Sequence, residues 1–451
     1  MSDSVSRRRL LGVTLAAAAG LPVAAACTSR GTGAAGDSAE ALDVLPSATN
    51  VRDLGAVGDG VADDTAAIAE AYAGAEGPVV LYLPAGKYLV SAWPALPDYS
   101  VVIGEGGDAT TIIHQGSGAL FALEGRHRVA FRRFGVHVTR PGGSAVSLSA
   151  CFRCSFDSVV LRGSHLSENF PQFADQQGVI LSDNTGGTTF VNCDINNFGT
   201  GLVTSCIQNY VTASKFTNNY VGVLGTGGDY NAGLSIVNSE FVSDNDPDTT
   251  STHVRIDGPA NDWWITNVWF EGADVAISAG DPGRGGPAQF GLVNCKVAAR
   301  STCVELLHCR QPYLANVLFD PDLDSPPTPL RIDPQYCAEG TAVNLVSGFA
   351  DDIDLEAFPP GWSVTARGVI SGAAHVGPLS LRAGPRGGDL LEARDATGSV
   401  VSAVLPTGAF LSDRPEGGVV LRDEAGGYWR LSVGRDGALR TTALGDVRPL
   451  A

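Results

Sequence analysis

The sequence predicts an all-β chain that winds into a parallel β-helix, and its composition and one internal repeat carry that prediction. The 451 residues include 56 glycines, and only 7% of them are aromatic. This composition, rich also in Asn, Asp, Ser and Thr, is typical of many short strands joined by tight turns. A solenoid suits the length of the chain, because it grows by adding coils rather than by thickening one core.

A short pattern recurs through the middle of the chain: an apolar residue, usually an Asn, two variable residues and a second apolar residue. Successive copies are 21 to 29 residues apart, at residues 191–195, 212–216, 237–241, 266–270, 293–297 and 315–319. Each copy predicts a strand that turns a corner and begins the next strand. We expect the Asn side chains to stack as a ladder, each amide bonding the next one within the turn.

A second row of short apolar strands follows these copies along the chain. In the strand at residues 253–257, alternation directs Val254 and Ile256 inward and directs Arg255 and Asp257 to solvent. Residues on this row are therefore candidates for chemistry.

The segment that opens the predicted fold contains Leu54-Gly-Ala-Val-Gly-Asp-Gly60, Asp63-Asp-Thr65, a helix capped by these acids, and Leu83-Pro-Ala-Gly-Lys-Tyr88. This series resembles the N-terminal segment of the pectate-lyase-like superfamily, which includes polygalacturonases, exo-glucanases and phage tailspikes. The resemblance implies a right-handed parallel β-helix, a single-stranded solenoid with an N-terminal capping helix, whose second strand row lines the cleft. It does not specify the reaction, because hydrolases, lyases and binding proteins of the superfamily share this segment.

The sequence divides into four segments. Residues 1–27 contain Ser6-Arg-Arg-Arg-Leu-Leu11 and an apolar run too short to span a membrane, which indicates a twin-arginine signal peptide. Residues 28–49 predict a flexible linker, residues 50–372 the β-helix, and residues 373–451 a small C-terminal β domain with hairpin turns. We therefore expect an exported protein, extracellular or at the cell surface.

Cysteine usage is consistent with export. Small residues precede Cys27 as in a lipoprotein processing site, although Ala24 stands where Leu is usual, so a lipid anchor and simple cleavage both stay open. The other eight cysteines are an even number, which in an oxidising compartment indicates disulfides. Buried free thiols between coils are the alternative.

The charge of the chain limits its partners. A net charge of −18, spread along the sequence, argues against binding nucleic acid. It leaves a polysaccharide as the expected partner and makes neutral glycans easier to bind than polyanions. The sequence leaves monomer and trimer open.

Insertions interrupt the coils at residues 164–178, 226–233, 244–252, 258–262 and 280–287, and in solenoids such insertions collect on one face and build a binding wall. Aromatic faces stack on sugar rings, and polar groups beside them fix orientation. The predicted substrate-binding residues are Arg255, Asp229, Tyr230, Trp263 and Trp264. For the two tryptophans, simple cover of the coil flank is an equal alternative.

Glycoside hydrolysis needs two carboxyl groups, about 5 Å apart for a nucleophile or roughly 6.5–9.5 Å apart when water enters between them. Stacked coils bring acids of neighbouring coils to such distances. The predicted acid/base set is Asp244, Asp246, Asp257 and Asp274, with Arg255 as a clamp on the substrate. Solvated surface acids are the alternative. Gly272-Ala-Asp274 and Val254-Arg-Ile256 resemble segments of polygalacturonases, but the second Asp of that family is absent and no Gly-His-Gly occurs.

Two further acidic patterns have a structural interpretation. Asp194, Lys215 and Glu240 hold matching positions in successive copies, which predicts an acid, base, acid ladder with steps of about 5 Å. A lyase base at Lys215 is the alternative. Asp244, Asp246 and Asp248 stand at alternate positions as in a calcium loop, but the Gly and the distal Glu of such a loop are missing. No metal ligand set is predicted, no cofactor is required, and calcium stays compatible with the loop.

These observations favour an exported, carbohydrate-active glycoside hydrolase that cleaves a polysaccharide by carboxylate acid/base catalysis. A non-catalytic glycan-binding or tailspike-like surface protein is the first alternative, and a polysaccharide lyase is the second.

Overall fold

The computed structural model describes residues 48–227, 232–321, 327–348, 357–366, 369–371, 391–394, 399–405, 407–414, 417–447 and 449. Over these residues the chain is an all-β, right-handed parallel solenoid of about 12 turns with almost no helix. The predicted fold class is confirmed. The predicted signal peptide, the linker up to residue 47, and the candidate site residues Asp229 and Tyr230 lie outside the described residues.

Each coil contributes strands to three parallel sheets, which we call the first, second and third faces in the order that the chain visits them. The first face contains Thr49–Asn50, Val80–Leu83, Val101–Gly104, Ala130–Arg132, Ser155–Asp157, Thr189–Val191, Asn209–Thr212, Ala232–Val237, Ala260–Thr266, Pro287–Val293, Gly361–Ala366 and the first parts of Pro312–Pro321 and Glu339–Ser347. The second contains Asp59–Asp63, Gly86–Val90, Thr110–His114, Gly135–Val138, Val160–Arg162, Asp194–Asn196, Lys215–Thr217, Glu240–Val242, Trp269–Glu271, Lys296–Ala299 and the last parts of Pro312–Pro321 and Glu339–Ser347. The third contains Ala119–Glu124, Ser144–Ser149, Gln177–Ser182, Thr200–Thr204, Val221–Gly225, Thr252–Ile256, Val275–Ala279, Thr302–Leu306 and Thr328–Ile332.

The corner between the first and second faces is built by the repeated asparagines. Asn238, Asn267, Asn294, Asn316 and Asn344 all have φ between 51° and 55°, a left-handed conformation that Asn adopts more readily than most residues. The Nδ2 of Asn267 donates to Oδ1 of Asn238 at 2.7 Å, and the same bond runs from Asn316 to Asn294 and from Asn344 to Asn316 at 2.9 Å. The predicted ladder is confirmed at these positions.

The interior of the coils is filled by side chains that stack from coil to coil. Phe241 lies 4.6 Å from Phe216 and 5.0 Å from Phe270 between ring centroids, with the rings nearly parallel. Val254 and Ile256 are fully buried, as the alternation of the third-face strand predicts. Aligned stacking of like side chains lets each coil cover the apolar surface of the previous one.

The opening segment contains the expected helix, α1 (Thr65–Glu70), after a 3₁₀ turn at Val51–Leu54. Asp63 acts as predicted, because its Oδ1 accepts a bond from the N–H of Thr65 at 3.0 Å. The prediction is wrong for Asp64. Asp64 makes no side-chain cap to the helix. Its buried carboxylate accepts bonds from the N–H of Val57 at 2.6 Å and of Gly58 at 3.2 Å, so it holds the Gly-rich turn against the helix instead.

The prediction of disulfides is wrong for most of the cysteines. Buried free thiols stand at Cys151, Cys154, Cys193, Cys206, Cys295, Cys309 and Cys337. Cys193 and Cys295 directly follow ladder asparagines, at the inward corner position where other coils have Ser214 and Ser239. Further coils have Val268, Val317 and Leu345 there, so the position accepts buried side chains of different size, and a free Cys fits as a small apolar residue.

Two small antiparallel sheets follow the solenoid, as predicted for the C-terminal segment. One contains Leu391–Arg394, Val400–Val404 and Phe410–Ser412, and the other contains Val419–Arg422, Tyr428–Val433 and Leu439–Gly445. Within the described ranges, no helix has the length and apolar character needed to cross a membrane.

Replacing the central ring of the stack tests this account of the core. Because Phe241 is fully buried, Phe241→Ala should lower the free energy of unfolding by about 3–5 kcal/mol. Phe410→Ala, at a ring that is 84% exposed, should change it by less than about 0.5 kcal/mol. Urea denaturation followed by tryptophan fluorescence measures both. Equal midpoints for the two variants would contradict the stacking account.

Candidate functional site

The insertions gather at two corners of the third face rather than on one wall. At the corner with the second face, the ring Nε2 of His165 lies 2.8 Å from the carbonyl oxygen of Thr249, and Phe170 stacks on Tyr220 at 4.6 Å. At the corner with the first face, Arg284 reaches the hydroxyl of Thr226 at 3.2 Å. The expectation of a single wall is therefore wrong, and the candidate residues divide between the two corners.

The register of the third face separates the two acids that the sequence pairs. Asp257 follows the strand Thr252–Ile256, whereas Asp274 precedes the next strand, Val275–Ala279. Ile256 is paired with Ala279, so Asp257 and Asp274 lie six positions apart along the strand direction, or about 20 Å. Glycosidase carboxyl groups are at most roughly 9.5 Å apart. The predicted acid/base pairing of Asp257 with Asp274 is wrong.

Asp274 instead neutralises a buried cation. Its Oδ1 lies 2.8 Å from Nη2 and 2.9 Å from Nε of Arg300, whose side chain is only 8% exposed. The same guanidinium donates to the carbonyl oxygens of Gly272 and, at 2.7 Å, of Thr250. Arg300 therefore ties three coils together at this corner, and Asp274 supplies its counter-charge.

Asp244 and Asp246 shape the loop in which they lie. Oδ1 of Asp244 accepts a bond from the N–H of Asp246 at 3.2 Å, and Oδ1 of Asp246 accepts one from the N–H of Asp248 at 2.9 Å. Such bonds are typical of turns that an Asp side chain closes. Among the described residues, no three His, Cys, Asp or Glu side chains gather as a metal ligand set. A catalytic role for Asp244, Asp246, Asp257 or Asp274 singly stays a prediction.

Asp257 and Arg255 do lie together, in a small pocket of about 210 Å³ that Glu305 also lines. Oδ2 of Asp257 is 3.1 Å from Arg284 and 3.7 Å from Arg255, and Glu305 is 3.2 Å from Arg331. Each of these two carboxyl groups thus lies beside a guanidinium group.

The two adjacent tryptophans point to opposite sides of their strand. Trp263 is fully buried, and its Nε1 donates to the carbonyl oxygen of Ala232 at 3.2 Å, so it cannot stack on a sugar. The prediction of Trp263 as a binding residue is wrong, and the ring fills the coil interior rather than covering the coil flank. Trp264 is 40% exposed, because side chains alternate along a strand.

A groove of about 530 Å³ runs along the second face beside the Asn ladder. One column of residues lines its floor, each two positions after the turn residue of its coil: Asp194, Lys215, Glu240, Trp269 and Lys296. The register predicted for Asp194, Lys215 and Glu240 is confirmed. The sequence could have predicted Trp269 and Lys296 as members of this column too, because they also follow their turn residues, Asn267 and Asn294, by two positions.

Each of the two lysines in this groove has a partner in the same column. Nζ of Lys215 lies 2.8 Å from Oε1 of Glu240, and Nζ of Lys296 lies 4.2 Å from the centroid of the Trp269 ring. Trp269 is 47% exposed, and its Nε1 donates to Glu271 at 3.1 Å. The column therefore places the ion-paired carboxylate of Glu240 one coil from the accessible ring of Trp269.

Asp194, at the other end of the groove, has a different electrostatic environment. Partial desolvation raises the pKa of Asp194, the positive charge of Lys215 opposes this, and the negative charges of Asp108 and Glu240 raise the pKa further. The loop that carries Asp108 comes from an earlier coil and packs against Val160, which is paired with Asp194: a Cβ at Gly107 would be 2.3 Å from Cγ2 of Val160. The pKa of Asp194 is thus raised above its ordinary value, chiefly by desolvation.

Comparison with known protein families gives one match, over residues 48–130, to the family described as Rhamnogalacturonase A/epimerase, pectate lyase-like. Residues 48–130 are pectate-lyase-like. The resemblance inferred from the opening segment is therefore confirmed over that part of the chain. Among proteins with curated descriptions, none matches.

Several solved structures are similar to this chain. The A-module of an Azotobacter vinelandii mannuronan C-5 epimerase has 16% identity, with 72% of this chain and 99% of that chain covered and a TM-score of 0.46. A tailspike of an Acinetobacter phage has 11% identity, coverage of 91% and 84%, and a TM-score of 0.46. A family 28 exopolygalacturonase of Yersinia enterocolitica has 11% identity, coverage of 73% and 80%, and a TM-score of 0.42. At these scores the likenesses carry no argument for a reaction.

Neutralising Asp274 tests whether it is a structural counter-ion. Asp274→Asn leaves the buried guanidinium of Arg300 without its anion and should lower the free energy of unfolding by about 1–3 kcal/mol. Asp244→Asn preserves the loop geometry and should change it by less than about 0.5 kcal/mol. Chemical denaturation of the two variants provides the measurement. An unchanged midpoint for Asp274→Asn would show that the ion pair contributes no stability.

Proposed function

We propose that this protein is an exported glycoside hydrolase whose acid/base pair is Asp194 and Glu240 in the groove of the second face. One observation carries the proposal: two carboxyl groups of one column have different environments. Desolvation raises the pKa of Asp194, which suits a proton donor, while the ammonium of Lys215 lies 2.8 Å from the carboxylate of Glu240. Glycosidases use two carboxyl groups in different environments as acid and base.

The spacing of the pair suits an inverting mechanism. Asp194 and Glu240 are each in register with Lys215, which puts them two coils apart, a Cα separation of about 9.6 Å. This Cα separation is just above the roughly 6.5–9.5 Å that inverting enzymes keep between their two carboxyl groups, the distance at which a water molecule fits beside the sugar. A nucleophilic carboxylate would require a shorter distance.

The proposed reaction assigns one proton transfer to each acid. Asp194 donates its proton to the glycosidic oxygen as the bond from that oxygen to the anomeric carbon breaks. A water molecule forms the new bond to the anomeric carbon and gives its proton to Glu240. Trp269, one coil beyond Glu240, offers an exposed ring face for the neighbouring sugar.

The other interpretations have less support in this groove. The ammonium of Lys215 is engaged with Glu240, which does not favour Lys215 as the base of a lyase. A non-catalytic glycan-binding surface protein is the second candidate, favoured by exposed aromatic side chains on the first face. The proposal requires no cofactor, and calcium enters it only as an ion to be added in a test for lyase activity.

The proposal includes the location of the protein. The residues Arg7, Arg8 and Arg9 before an apolar run support export by the twin-arginine route, to the extracellular space or the cell surface. Cys27 would carry a lipid anchor if the chain is processed as a lipoprotein. The polysaccharide partner is reached in either arrangement, by a monomer or by a trimer.

Substitution of the pair tests the catalytic assignment. Asp194→Asn and Glu240→Gln should each lower cleavage by about 100-fold or more, because each removes one proton transfer. Glu124→Gln, at an exposed acid of the third face, should leave the rate unchanged. The measurement is the release of new reducing ends from a panel of neutral and acidic polysaccharides. Unsaturated products that absorb in the ultraviolet would indicate a lyase, and the absence of any cleavage by the wild type would reject the enzyme.

The pH profile gives a second test. Cleavage needs protonated Asp194, so kcat/KM should fall as pH rises through the pKa of Asp194. Lys215 lowers that pKa, so Lys215→Met should raise it and move the alkaline limb of the profile to higher pH. Lys296→Met removes a cation that does not act on Asp194 and should leave the limb in place. If the alkaline limb lies at the same pH in the wild type and in Lys215→Met, Asp194 is not the general acid.

A further inference from the structure

Exposed aromatic residues form a second column, on the first face, which the proposed reaction does not use. Tyr210, Ser235, Trp264, Gly291 and Tyr313 are in register on five successive coils. Aromatic rings thus alternate with small residues from coil to coil. Tyr210 is 45% exposed, Trp264 40% and Tyr313 39%.

The glycine at position 291 gives the ring of Trp264 room to lie on the sheet. A Cβ at Gly291 would be 2.1 Å from Cε3 and 2.2 Å from Cζ3 of Trp264, so the six-membered ring of Trp264 covers the backbone of the next coil. A larger residue at 291 would displace the indole. The arrangement presents one face of the ring to solvent, which is the orientation that stacks on the apolar face of a sugar.

The spacing of the aromatic rings matches an extended polysaccharide. Rings on alternate coils are separated by about 9.6 Å along the axis of the solenoid. This distance is close to the length of a disaccharide unit in an extended β-linked chain. In such chains alternate sugars turn the same face to one side, so every second sugar meets an aromatic ring.

Polar groups border the aromatic column where sugar hydroxyls would lie. A depression of about 250 Å³ between Tyr210 and Trp264 is lined by Gln208, Asn261 and Asp262 among others. Asp262 is the charged side chain among its described lining residues, and the chain as a whole carries a net charge of −18. Both charges favour a neutral glycan over a polyanion.

We propose that the first face is a second glycan-binding surface, on which Tyr210, Trp264 and Tyr313 bind an extended, β-linked neutral polysaccharide running along the solenoid axis. This surface is separate from the groove of the second face, because the Asn corner stands between the two. It needs no bond cleavage, so it goes beyond the proposed hydrolase.

Calorimetric titration of the full chain tests this surface. The Asp194→Asn variant serves as the parent so that no ligand is consumed, and the probes are cellohexaose, xylohexaose, mannohexaose and, as a coiled α-linked control, maltohexaose. At least one β-linked hexaose should bind, and more tightly than maltohexaose. Adding Trp264→Ala should weaken that binding by about tenfold, and Trp264→Phe should restore most of it.

Val343→Ala is the matched control, an exposed apolar residue of the same face outside the aromatic column. It should leave the affinity unchanged. Three outcomes would overturn the inference: no β-linked hexaose binds the parent, Trp264→Ala binds as the parent does, or maltohexaose binds equally well. Reducing-end assays on the wild type decide the hydrolase separately, so either proposal can fail while the other stands.

Discussion

The left-handed turn at the Asn corner is the constraint on which the rest of the structure depends. One residue per coil adopts positive φ there, and the amide of Asn316, for example, bonds the one below it in Asn294. This turn fixes the point at which each coil leaves the first face and starts the second. Because every coil restarts from the same point, residues at equal distances from the turn stack into columns whatever the length of the intervening loops.

Both candidate surfaces are columns of this kind. The residues two positions after the turn form the charged floor of the groove, from Asp194 to Lys296, and those three positions before it form the aromatic column that contains Trp264. The two surfaces thus flank a single corner and share its register. A change that shifted one coil by a residue would reverse the faces of its side chains and interrupt both columns at once.

The fold could be predicted from the sequence because its determinants are local: the repeat around Asn238 or Asn294 and the opening segment before residue 90. The column two positions after the turn could also be predicted, and the sequence repeat places Asp194, Lys215 and Glu240 in it. The pairing of Asp257 with Asp274 failed because their position along the third-face strands depends on loops of unequal length, which carry no register of their own. The prediction for Trp263 was wrong for a different reason. Only the offset from Asn267 shows which of the two adjacent tryptophans faces the interior.

The thiols at the inward corners have a consequence for biogenesis. Cys193 and Cys295 fill space as small apolar side chains beside the ladder, and their burial raises the pKa of each thiol, to about 12 and about 11. Protonated, enclosed sulfur reacts slowly with oxidants and metals. Cys193 and Cys295 therefore contribute to folding as packed thiols, and these two corners form without oxidation of sulfur.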